Sequence, residues 1–160
     1  RAEYFVEKSG NKQRLLDVCR ASSSLPYVSK IVDVDGQPYL DGGIVDSIPV
    51  ERAIAMGHEH NVLILTRNRG YRNTSKDRKI PKFIYKNYPR LRVDLSRRIA
   101  EYNRQLELVE QMEDRGEVTV IRPLRPMEVD RIEKDEKKLE ALYEEGFPLG
   151  EEFCKLKIES

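Results

Sequence analysis

An α/β fold, a layered sheet with parallel strands covered by helices, is predicted by three observations. Asn61 to Thr66 (Asn-Val-Leu-Ile-Leu-Thr) is a continuous apolar run of strand-forming residues, the pattern of a strand buried on both faces. Glu117 to Ile121, closed by Arg122-Pro123, is a second run of that kind. Segments of helical period alternate with these strands. At 160 residues the chain is long enough for a real core and short for a complete α/β enzyme.

In chain order, Leu15, Leu16, Val18 and Cys19 form an apolar cluster of helical spacing inside Asn11 to Ala21. The helix should stop at Ser22-Ser23-Ser24-Leu25-Pro26, because the serines compete for backbone hydrogen bonds and the proline pushes Leu25 out of helical geometry. Tyr27 to Ile31 reads as a loop. Val32 to Leu40 reads as a short hairpin turning at Asp35-Gly36, and it delivers Asp41. Asp46 or Ser47 can cap a helix that has Pro49 in its first turn and runs through Val50, Ala53, Ile54 and Met56 to Gly57. After the first buried strand, Arg67 to Lys82 is a long basic loop. A long helix is predicted from about Pro89, with Leu91, Leu95, Ile99, Tyr102, Leu106, Val109 and Met112 as its stripe and Gly116 as its end. Past the second strand, a helix is predicted from near Asp130 through Ile132, Leu139, Leu142 and Tyr143 to Gly146. One further short helix is predicted over Phe153, Cys154, Leu156 and Ile158.

With 29 basic and 28 acidic residues the net charge is +1, so any anionic partner has to be argued from a local patch. Nothing resembles an RNA-binding signature, and nucleic acid is not expected as a partner. No window approaches the roughly 18 consecutive apolar residues of a membrane span. Cys19 and Cys154 lack metal-ligand spacing and read as reduced thiols of a cytoplasmic protein, packed as small buried hydrophobes.

The candidate chemistry centres on Tyr39-Leu40-Asp41-Gly42-Gly43-Ile44-Val45-Asp46-Ser47-Ile48-Pro49-Val50. Asp41 stands at a strand end, where open α/β sheets place their sites, and Gly42 and Gly43 can take positive φ or allow close backbone approach. Ala21-Ser22-Ser23-Ser24-Leu25-Pro26, the hairpin, the Asp-Gly-Gly turn and Val62-Leu63-Ile64-Leu65-Thr66-Arg67 follow in fixed order. This arrangement resembles the C-terminal half of the patatin-like phospholipase family, in its bacterial branch with an extra C-terminal region.

The resemblance covers about residues 15 to 70. It implies residues 1–70 as the C-terminal part of a patatin-like hydrolase domain and 71–160 as a family-specific extension. It also implies a Ser-Asp dyad that hydrolyses lipid or small esters without a cofactor. The nucleophile would be the serine of Gly-x-Ser-x-Gly, Asp41 its general base, and Gly42 and Gly43 the turn that shapes the site. No serine of this chain sits in such an elbow, and the family's glycine-rich oxyanion loop is also absent. The chain is therefore expected to be the C-terminal segment of a longer enzyme, or a degenerate relative, and inactive by itself. The alternative is a non-catalytic binding or regulatory module acting through the basic loop 67–82 or the charged C-terminal helices.

Other constellations are weaker. Arg67, Arg69 and Arg72 make the basic loop either a solvated surface or a contact for anionic lipid headgroups, which would put the protein at the periphery of a membrane. From Asp33 the calcium-loop pattern fails, since the glycine comes fourth, Gln37 fifth and Ile44 twelfth; a two-carboxylate magnesium site is left open and no metal is assigned. His58 and His60 read as a surface turn. Phe83, Ile84, Tyr85 and Tyr88 read as anchors of the long helix, ahead of a lid or an acyl-pocket wall.

Overall fold

The structure, a computed structural model, describes residues 1–158 other than 7, 9, 76–79 and 130–132, and side chains as far as 155. It is a mixed α/β chain that packs as two compact units interleaved along the sequence. One comprises Arg1–Pro49 with Asn73–Gln105, the other Val50–Arg72 with Leu106–Ser160.

In the first unit, α1 (Lys12–Ser22) starts where Asn11 accepts a side-chain hydrogen bond from the Arg14 N–H at 3.1 Å and ends at Ser23. The hairpin pairs β1 (Val32–Val34) antiparallel with β2 (Gln37–Tyr39), Val32 opposite Tyr39 and Val34 opposite Gln37. Its turn residues Asp35 and Gly36 have φ of 53° and 76°, the left-handed pair that a two-residue hairpin loop requires. Arg14 ties α1 to this turn by a 2.8 Å ion pair with Asp35. Ala21, Val32 and Val34 are buried together, with Phe5, Val18 and Tyr39 packed around them. Because α1 docks through Val18 and Ala21, its other apolar residues Leu15, Leu16 and Cys19 face outward and are exposed. The expectation of a buried Cys19 is thereby corrected, and Cys154 is likewise a free, exposed thiol.

In the second unit, α2 (Val50–Ala55) stops at Gly57, whose φ of 87° turns the chain toward β3 (Asn61–Ile64). β3 pairs in parallel with β4 (Val118–Ile121), and the Leu65 N–H extends the ladder to the Ile121 carbonyl at 2.9 Å. The parallel pairing is as predicted, but the sheet has two strands among the described residues. One face is covered, with Leu63 and Val118 buried, while Val62 and Ile64 on the other are 46% and 78% exposed. A run read as buried on both faces is thus half exposed here, because composition alone does not tell a covered face from a bare one.

The long helix α3 (Pro89–Asp114) opens on a proline, as the missing N–H allows, and closes at Gly116, whose φ is 71°. Leu106, Val109 and Met112 are its buried residues in the second unit. α4 (Glu136–Ile158) packs on β4 as one helix, running through Gly146 and Pro148. The predicted stop at Gly146 and the separate tail helix are therefore corrected. Leu142, Glu145, Leu149 and Phe153 are its less exposed residues, and their three- and four-residue steps continue unbroken past the glycine. The predicted start of that helix, at Asp130 and Ile132, lies outside the described residues, as do the side chains of Leu156 and Ile158. Among the described residues, no helix is long and apolar enough to cross a membrane.

Candidate active site

The hairpin and the serine-rich turn converge on Asp41. Its backbone N–H donates to the Ser24 carbonyl at 2.9 Å, so two motifs separated in sequence meet at one hydrogen bond. Ser24 is buried, and its hydroxyl donates to the Arg20 carbonyl at 2.6 Å, which ties the turn back to α1. Asp41 then caps a single 3-10 turn over Gly42–Ile44, with Oδ1 accepting from the Gly43 N–H at 2.7 Å. Ile44 anchors the turn by burial. The Asp41 carboxylate is half-buried, and among the described residues it enters no ion pair and takes no hydrogen bond at Oδ2. One oxygen is thus fixed and the other is available to accept a proton.

Neither glycine of the motif takes a positive φ, contrary to the first of the two reasons the sequence offers for them. The second reason, close approach of other backbone, is corrected too: what approaches Gly43 is a side chain. A Cβ there would lie 2.9 Å from Asp41 Oδ1, whereas one at Gly42 would meet nothing within 4 Å. If Asp41 acts as the base that the sequence resemblance implies, Gly43→Ala should displace the carboxylate and, in a protein that also holds the serine, lower kcat for ester hydrolysis by roughly tenfold or more, as misplacing a catalytic group by about 1 Å does. Gly42→Ala should do much less, and equal effects of the two would show that the close approach at Gly43 is immaterial.

The segment after the turn is held from α3. Gln105 is buried, and its Oε1 accepts from the N–H groups of Ser47 and Ile48, each at 3.1 Å, while Nε2 donates to Asp46 Oδ1 at 2.7 Å. Arg98 Nε donates to the Gly43 carbonyl at 3.0 Å, and the Ser47 hydroxyl reaches the same oxygen at 2.8 Å. The Tyr4 hydroxyl donates to the other oxygen of Asp46. Sequence reading missed Gln105 and Arg98. The available signal was register, since 98, 102, 105, 109 and 112 lie on one line of the helix and two of these positions are polar.

Tyr85 braces the loop behind the serine-rich turn. Its hydroxyl accepts from the Tyr27 N–H at 2.9 Å, and the two rings lie 5.7 Å apart. Burial, and then the neighbouring Tyr85, raise the Tyr27 pKa. Phe83 is 78% exposed, so the expectation that it anchors the long helix by burial is corrected.

Arg69 and Arg72 of the basic loop are paired with the acidic C-terminal part of α3. Arg69 pairs with Glu113 at 3.0 Å and Asp114 at 2.7 Å, Arg72 pairs with Glu110 at 2.7 Å, and Arg67 lies 4.9 Å from the centre of the Tyr71 ring. Lys76, Arg78 and Lys79 lie outside the described residues. The Arg72 hydrogen bond, ahead of the Gly70 N–H and the charge of Arg122, holds the Glu110 carboxyl below the usual carboxylate range. A carboxylate lowered on folding contributes its stability in full above the ordinary value of 4.5 and loses it as pH falls through the lower folded value. The stability gap between the parent and Glu110→Gln in urea titrations should therefore be widest near neutrality and close at pH values well below 4.5; a gap independent of pH would refute the pairing.

The four aspartates of the metal reading have separate partners. Asp33 accepts from the Gly36 N–H, Asp35 pairs with Arg14, Asp41 accepts from the Gly43 N–H, and Asp46 bonds Gln105 and Tyr4. Among the described residues no three His, Cys, Asp or Glu side chains gather as a metal site, and His58 and His60 are exposed.

Residues 2–54, which hold α1, the hairpin and the Asp41 turn, match the sequence model of the Patatin-like phospholipase family. The chain carries a patatin-like segment. Residues 88–156 match a second family, described as a domain of unknown function (DUF6363). The uncharacterized protein YjjU of Escherichia coli (strain K12) is 48% identical over 64 residues, which make up 39% of this chain and 17% of that protein. The chain thus spans well under two thirds of this relative's length. No solved structure matches. The patatin-like segment ends at residue 54, one residue short of the end of α2, so Asp41 and Gly43 lie within it, while Arg98 and Gln105 lie in the second match.

Proposed function

We propose that the chain supplies the general base of a patatin-like serine ester hydrolase, acting on lipid or small esters in the cytoplasm. The observation that carries this reading is the Asp41 carboxylate, with Oδ1 pinned to the Gly43 N–H and Oδ2 unengaged among the described residues. In the reaction, a serine hydroxyl from outside this sequence gives its proton to Oδ2 as its oxygen attacks the ester carbonyl. The carboxylic acid so formed returns the proton to the departing alkoxide. The same carboxylate then takes a proton from the water that cleaves the acyl-serine and passes it to the serine oxygen as the acid departs. Ser24 and Ser47 do not serve as that nucleophile, since their hydroxyls donate into backbone carbonyls at 2.6 and 2.8 Å. Arg67, Arg69 and Arg72 would meet an anionic headgroup only in competition with the ring and carboxylates they already face.

The test is hydrolysis of p-nitrophenyl butyrate by a protein that contains this chain together with a Gly-x-Ser-x-Gly serine, with this 160-residue chain alone as the control. Turnover that needs the serine and disappears when Asp41 becomes asparagine supports the reading. Turnover by the chain alone at the same rate overturns it.

A further inference from the structure

We propose that Gln105, with Arg98, is a positioning residue for Asp41, and that the first part of the domain of unknown function therefore serves the ester-cleaving site directly. This rests on Asp41 being the base. Gln105 makes three hydrogen bonds through its amide: two backbone N–H groups, at Ser47 and Ile48, enter Oε1, and Nε2 reaches Asp46 Oδ1. It is 3% exposed, so water cannot replace those partners without opening the packing. Arg98 takes the Gly43 carbonyl at 3.0 Å, and the N–H of the same Gly43 holds Asp41 Oδ1 at 2.7 Å. One glycine residue therefore connects α3 to the carboxylate. Gln105 fixes the far end of the segment at 46–48 and Arg98 fixes its middle, so Oδ2 keeps one direction.

A buried glutamine that merely filled space would be replaceable by a side chain of equal length. The test therefore compares Gln105→Met, which keeps the length and removes all three hydrogen bonds, with Gln105→Glu combined with Asp46→Asn, which exchanges donor and acceptor across the 2.7 Å contact and leaves an oxygen for the two N–H groups. Amide exchange is followed in the 160-residue chain. Values of kcat and KM for p-nitrophenyl butyrate are measured in the protein that also holds the nucleophilic serine, with Asp41→Asn as reference.

The expected result for Gln105→Met is an approximately tenfold faster exchange at Ser47 and Ile48, unchanged exchange at Val109, a kcat lowered roughly ten- to hundredfold, and a KM within about twofold. The double exchange should recover most of each. If Asp41→Asn is inactive but Gln105→Met keeps kcat within about twofold, the clamp is idle and the proposal is overturned while the base assignment stands. If exchange rises equally at Val109 and the double variant recovers nothing, Gln105 is only structural and the proposal is likewise overturned. If Asp41→Asn turns over like the parent, the base assignment fails and the proposal falls with it.

Discussion

On the proposed reading, Asp41→Asn in a protein that also holds the nucleophilic serine is expected to lower kcat for a nitrophenyl ester by about 10² to 10⁴, the range that a positioned general base contributes, with little change in KM. The substitution isolates the chemistry because asparagine reproduces the structural duties of the residue. Its amide oxygen can accept from the Gly43 N–H, as Oδ1 does at 2.7 Å, and asparagine caps a helical turn about as well as aspartate. The backbone bond from the residue 41 N–H to the Ser24 carbonyl is untouched. The melting temperature should therefore stay within about 2 °C of the parent while turnover is lost. A rate within a few-fold of the parent, in a variant that melts normally, would remove Asp41 from the reaction.

The largest loss of stability is expected from Arg122→Met. The Arg122 side chain is 8% exposed and faces Glu113, with Glu110 3.9 Å away, and those carboxylates are 26% and 15% exposed. Removing the guanidinium leaves two partly buried anions with one fewer counter-charge. Breaking such a pair costs more than the pair is worth relative to an apolar replacement, on the order of 3 kcal/mol. For a chain of this size that corresponds to a fall in melting temperature of roughly 6 to 12 °C. Adding Glu113→Gln should return part of the loss, because the stranded charge is removed along with its partner. An unchanged melting temperature for Arg122→Met would show that the cluster contributes nothing.

The chain's local order was legible at several points where one residue type has a backbone reason to be present. Asp35-Gly36 turns the hairpin, Pro89 opens α3 and Gly116 closes it, and each of these elements lies within a residue or two of its predicted place. Asp41 was legible as a candidate base because turn chemistry and motif company coincide there. What could not be read was which apolar face is covered. Leu15, Leu16, Val62 and Ile64 have the composition of core and are exposed, because burial is decided by what packs opposite. Gly146 also misled, since a local breaker gave way to the stripe through Leu149 and Phe153 that rests on β4. The reason for Gly43 was visible only with coordinates, as was the reach of Gln105 across 58 residues of sequence to Ser47.

The Gln105 and Arg98 bonds also bear on how such a protein could be cut or shuffled. A break placed after residue 54, where the patatin-like match ends, or after residue 70 would keep every residue of the Asp-Gly-Gly turn and discard the helix that grips it. Exchanging the second region between homologues would succeed only where the incoming sequence brings an amide and a guanidinium seven residues apart on one helix. On the proposed reading the two regions should be inherited as a pair, and a gene fusion that separates them should lose the site even though Asp41, Gly42 and Gly43 are all kept.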